Sequence, residues 1–142
     1  MGGALKNVYA IACGLVSGSG LGESARAALM TRAFAELSRL ATALHAKPET
    51  LMGLSGFGDL ALSCTSDQSR NFAFGAKLGS SGHSQTTKTV EGIATAEAVL
   101  SLAQETQTDM PIAQAVADVL KERQTVAQAL QTLMSRPLKK EG

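Results

Sequence analysis

Lys6 is the first residue whose type and position could do chemistry. Around it Leu5, Val8, Tyr9, Ala12, Leu15 and Val16 recur at three- and four-residue steps, a helical period. Lys6 therefore falls in the first turn of an apolar helix, where the positive end of the helix dipole disfavours a cation. Its neighbours at helical spacing, Ala10 and Cys13, are small and weakly polar. One reading is a solvated lysine at a helix start. The other is a desolvated lysine that exchanges a proton with a substrate hydroxyl. The residues alone leave both open.

The run Thr65-Ser66-Asp67-Gln68-Ser69-Arg70-Asn71 is a second candidate. Ser66 or Asp67 can cap a helix whose first N–H groups point outward. The forked donors of Arg70 and the amide of Asn71 would complete a phosphate cradle. A capped helix with an exposed arginine is the plainer alternative. Asp59, inside Gly56-Phe57-Gly58-Asp59, is a turn former or a buried partner for a lysine. Gly18-Ser19-Gly20-Leu21-Gly22 invites comparison with a dinucleotide loop, but that fingerprint needs a preceding strand and a βαβ unit. A helix precedes it here, so a tight helix–helix turn is expected.

The remaining reactive residues exclude whole classes of chemistry. His45 and His83 stand alone, with no serine or carboxylate arranged as a triad. Cys13 and Cys64 have no CxxC spacing, so two free thiols in a reducing cytosol are expected, and a zinc site is not. Thirteen basic residues against twelve acidic ones leave no broad positive field for nucleic acid or an anionic membrane. The apolar stretch from Val8 to Ala12 is too short for a signal segment, and no stretch is long enough to span a bilayer.

The elements that must position these residues read as helices. After the first comes one over 23–44, with Leu29, Met30, Ala33, Phe34, Leu37, Leu40, Ala41 and Leu44 as apolar positions and Arg32 and Glu36 spaced to pair at i, i+4. Pro48 suits the first turn of a short helix. Further helices are expected over 69–78, 95–104, 111–122 and 125–134. The Gly-, Ser- and Thr-rich stretch 79–88 reads as a mobile loop. Alternating strand patterns are nearly absent. With four Phe, one Tyr and no Trp, the core must be built from Leu, Ala, Val, Ile and Met, which suits closely packed helices. The 142 residues make one all-α, multi-helix domain.

Taken in order, these pieces carry a resemblance. Gly3-Ala4-Leu5-Lys6-Asn7-Val8, Ala25-Arg26-Ala27-Ala28-Leu29, Gly56-Phe57-Gly58-Asp59-Leu60, Cys64-Thr65 and Gln68-Ser69-Arg70-Asn71 are followed by Val90-Glu91-Gly92, Met110-Pro111-Ile112 and Ser135-Arg136-Pro137-Leu138. The ordered set resembles the bacterial NAD(P)-dependent glycerol-3-phosphate dehydrogenases over essentially the whole chain. It implies an all-α domain similar to the carboxy-terminal domain of 6-phosphogluconate dehydrogenase. It also implies an amino-terminal Rossmann domain, absent from these residues, that binds most of the NAD or NADP.

By the same resemblance Lys6 is the catalytic proton acceptor for the C2 hydroxyl of sn-glycerol 3-phosphate, and the product is dihydroxyacetone phosphate, in a cytoplasmic enzyme of phospholipid synthesis. Asp59, Ser69, Arg70 and Asn71 join Lys6 as substrate-binding residues. Arg70, Thr89 and Glu91 match cofactor-contacting positions, with Thr89 replacing a more usual apolar residue. Phe72-Ala73 replaces a pair that is often basic. The fragment alone is expected to be inactive. The competing expectation is a stand-alone helical binding or dimerisation module that kept the fold without the chemistry.

Overall fold

The apolar steps around Lys6 do close into a helix, α1 (Gly2–Gly18). The structure, a computed structural model, describes residues 2–43, 70–81 and 87–135. After α1 come α2 (Glu23–Ala43), α3 (Arg70–Ser81), α4 (Thr87–Glu105), α5 (Pro111–Leu120) and α6 (Val126–Ser135). No strand occurs among the described residues. Every residue of α1 from Val8 to Val16 is buried, so this helix is the centre of the fold and not an amphipathic surface element. Helices α2, α3, α4 and α5 all pack on it.

The tightest of these contacts is the seam with α3, and it is made by glycine. A methyl group at Gly14 would run into the Phe72 carbonyl oxygen, and one at Gly75 into the Ile11 carbonyl oxygen. Gly18 and Gly79 repeat the contact one turn further along, against Ala76 and Leu15. Two Gly-x-x-x-Gly stripes thus let two backbones touch, as they do where small residues line helix pairs. The predicted turn after α1 is also found: Gly20 and Gly22 take φ of +80° and +94°, a left-handed backbone that a side chain would strain.

Two expectations need correction. The stretch 79–88 is not loop throughout, because α3 continues to Ser81 and α4 already begins at Thr87. The helix predicted over 95–104 therefore starts eight residues early. Its inward face, Ala96, Val99 and Ala103, extends back through Gly92 and Thr89, residue types that composition reads as loop. At Gly92 the fit is close, since a Cβ there would meet the Leu120 Cδ1 at 2.9 Å and the leucine side chain would have to shift.

Glu36 is the second correction. It does not pair with Arg32 on a surface. Arg32 instead donates from Nη1 to the Leu133 carbonyl at 3.1 Å, near the end of α6. Glu36 is fully buried on the same face of α2 as Leu29, Ala33 and Leu40. Its Oε1 accepts the Ile112 N–H at 2.8 Å, and its Oε2 accepts the Ala113 N–H at 3.2 Å and the Tyr9 hydroxyl at 2.9 Å.

Helix α5 opens with Pro111 after Met110, which offers no side-chain cap, so Glu36 caps it from another helix. Helix α6 is capped locally: the Gln128 N–H donates to Thr125 Oγ1 at 3.1 Å while the Thr125 N–H donates to Gln128 Oε1 at 2.9 Å.

Burial pushes the Glu36 carboxyl up from its ordinary 4.5 to about 7, against the opposing pull of the Ile112 N–H, the Tyr9 hydroxyl, the Ala113 N–H and the Arg39 charge. The folded state therefore binds this proton more tightly than the unfolded chain does. The associated stability is fully present below pH 4.5 and is lost as pH rises through about 7. Its size is on the order of 3 kcal/mol. Urea unfolding at pH 5 and pH 8 should show this loss, and Glu36→Gln should remove the part that Glu36 contributes. Separately, Gly75→Ala should destabilise the chain by about 1–3 kcal/mol or more through overpacking of the seam, read as a lower urea midpoint.

Candidate functional site

The glycine seam fixes where Lys6 lies relative to α3. Gly75 abuts Ile11 and Gly79 abuts Leu15, both pairs offset by 64 residues (75 − 11 and 79 − 15), so the two helices run parallel. In the opposite sense the Gly14 and Gly18 positions meet Phe72 and Ala76, offset by 58 (72 − 14 and 76 − 18), so the helices are level at the mean offset of 61, with Gly14 opposite Gly75. Arg70 is thus level with Tyr9 (70 − 61), three residues or about 4.5 Å of rise beyond Lys6. Lys6 is half-buried, Asn71 is half-buried, and Arg70, the first residue of α3, is exposed.

The start of α3 lies beside the middle of α1, so one positive helix end, that of α3, lies in this region. Arg70 at that end and Lys6, about one turn back along α1, add two side-chain cations. Such an arrangement suits an anion of phosphate size, which can take backbone N–H groups from the start of α3 and a forked pair of donors from Arg70.

Helix α4 reaches the same region from another side. The position a Cβ would occupy on Gly92 lies 3.6 Å from Ile11 Cδ1, so α4 meets α1 at the level where α3 does. Thr89, one turn before Gly92, is buried, at 2% exposure. Glu91 is exposed. Of the three residues matched to cofactor contacts, the two on α4 therefore face opposite ways, Thr89 into the packing and Glu91 out to solvent. Asp59 and Ser69, together with 65–68, Cys64, His45 and His83, lie outside the described residues. Cys13 is buried and not in a disulfide.

Nothing among the described residues forms a dinucleotide cradle. The glycines after Ser17 join two helices, and nothing lies within 4 Å of the Cβ position of Gly20 or Gly22. No group of three or more His, Cys, Asp or Glu residues is placed to hold a metal ion among the described residues. No helix among them is long and apolar enough to cross a membrane.

Sequence reasoning missed Tyr9 and Glu36 as parts of the frame behind Lys6. The signal was present in the spacing: Leu29, Ala33, Glu36 and Leu40 fall on one helical face, so a charge interrupts an apolar stripe.

The family described as NAD-dependent glycerol-3-phosphate dehydrogenase C-terminus matches residues 1–131. Glycerol-3-phosphate dehydrogenase [NAD(P)+] from Cereibacter sphaeroides is 61% identical over 141 residues, 99% of this chain and 46% of the relative. The enzyme of the same name from Paracoccus denitrificans is 55% identical, with 99% and 45% covered. A crystal structure of glycerol-3-phosphate dehydrogenase from Coxiella burnetii superposes with a TM-score of 0.84 at 40% identity, covering 95% of this chain and 43% of that one. The chain thus spans less than half the length of the relatives it matches. Match and superposition agree with the all-helical architecture, and the chain belongs to the NAD-dependent glycerol-3-phosphate dehydrogenase C-terminal family.

Proposed function

We propose that this chain is the substrate-binding and proton-transferring part of a cytoplasmic oxidoreductase that interconverts sn-glycerol 3-phosphate and dihydroxyacetone phosphate. The observation that carries the proposal is that Lys6 lies within about one helical turn of the level at which Arg70 and half-buried Asn71 open the parallel helix α3. The names of the relatives support the same reading.

Arg70, Asn71 and the first N–H groups of α3 hold the phosphate, with Ser69 extending the cradle. That fixes the three-carbon substrate along the end of the α1–α3 seam. Lys6 then takes the proton of the C2 hydroxyl through Nζ, and in the reductive direction returns it. Asp59 is assigned to orient Lys6. A nicotinamide cofactor, NAD or NADP, exchanges the hydride at C2 when bound. The exposed Arg70 and Glu91 are the described residues that fit contact with it, and Thr89 supports that surface from within. The pyrophosphate cradle falls to a Rossmann domain in the part of the relatives that this chain does not cover.

The 142-residue chain by itself is expected to show no oxidation of NAD(P)H with dihydroxyacetone phosphate, and measurable turnover would defeat that division of labour. In the complete dehydrogenase, Lys6→Ala should lower kcat by about 10²- to 10⁴-fold, the usual worth of a placed acid–base group. Arg70→Ala should act on binding, raising KM for the phosphorylated substrate by about 10- to 150-fold for the loss of a charge-assisted hydrogen bond. An unchanged KM would remove Arg70 from the cradle.

A further inference from the structure

The seam between α1 and α3 is made where glycines meet backbone carbonyls, a contact with few side chains to interlock. Apolar packing on other sides resists a slide of α1 through shape. Tyr9 adds a directional tie. It lies one turn after Lys6 on the same helix, is fully buried, and donates its hydroxyl to Glu36 at 2.9 Å. Glu36 is in turn held by two backbone N–H groups at the start of α5, at 2.8 and 3.2 Å. A single carboxylate therefore ties the lysine-bearing helix to two others through bonds that weaken steeply with angle and distance.

We infer that Tyr9 and Glu36 are positioning residues for Lys6, a clamp that sets the axial and rotational register of α1 so that the lysine Nζ meets the substrate hydroxyl. The inference rests on the proton-transfer reading of Lys6 given above. Neither residue touches substrate: both are buried in the core, on the inner side of the site. Their effect on rate passes through geometry, where a displacement of about 1 Å can cost on the order of 100-fold. A clamp of this kind alters the proton-transfer step more than the binding of the phosphate, because the cradle at Arg70 and Asn71 belongs to α3.

Tyr9→Phe keeps the ring and removes only the hydroxyl, which makes it the informative substitution. In the complete dehydrogenase it should lower kcat by about 10- to 100-fold with KM changed by less than about twofold. The solvent deuterium isotope effect on kcat should rise as proton transfer becomes slower relative to other steps. Glu36→Gln, assayed at temperatures where circular dichroism shows it folded, should move kcat and the isotope effect in the same direction. A lowered melting temperature with kcat and isotope effect unchanged would show a purely structural clamp and overturn the inference. Lys6→Ala separates the two proposals. If Lys6→Ala abolishes turnover while Tyr9→Phe leaves it intact, the proton-transfer role stands and the clamp falls. If Lys6→Ala retains the rate, both fall.

Discussion

A carboxylate taken fully out of water is expensive unless its oxygens are occupied by donors, and the frame of this domain is arranged around meeting that demand at Glu36. Three donors from two other helices converge on it: one hydroxyl from α1 and two N–H groups from α5. The dependence is mutual. Helix α5 begins after Met110 with no local cap, so without Glu36 the N–H groups of its second and third residues, Ile112 and Ala113, would be left unpaired in the core. An apolar residue of similar size would pack at position 36, yet it would strand all three donors. The order of α1, α2 and α5 is thus written into one set of hydrogen bonds.

The other side of α1 is held by different physics. Against α3 the contact is made by glycines, whose missing side chains let two backbones meet. Dispersion between close-packed backbones gives attraction with little directional preference. One helix thus has a directional contact on the Glu36 side and a permissive one on the α3 side. The proposed site lies toward the amino-terminal end of that permissive contact, at Lys6 and Arg70.

Much of this was legible in the residues, for identifiable reasons. Helices with long apolar stripes, α1, α2, α5 and α6, announce themselves because their burial follows a 3.6-residue period. The first two turns of α4 do not, because Thr89 and Gly92 are inside for reasons of size and packing that no composition rule contains. Glu36 was misread because i, i+4 spacing with Arg32 is a sound local pattern, whereas its true partners are 76 and 77 residues away. Of the site, Lys6, Arg70 and Asn71 could be named from motif order. That Lys6 comes within about one turn of the level of Arg70 depends on which glycines meet across the seam, and only the folded arrangement contains that information.

The parallel α1–α3 seam has a consequence for how the chain is made. Gly14 leaves the ribosome 61 residues ahead of Gly75 (75 − 14), so at about 5–20 residues per second the central helix waits roughly 3–12 s for the partner whose backbone it is shaped to touch. During that interval this helix, buried from Val8 to Val16 in the finished fold, has neither its glycine neighbour nor the α5 end that completes Glu36. The fold thus places the central helix early and the partners that cover it late, and during synthesis it would rely on whatever covers α1 in the meantime.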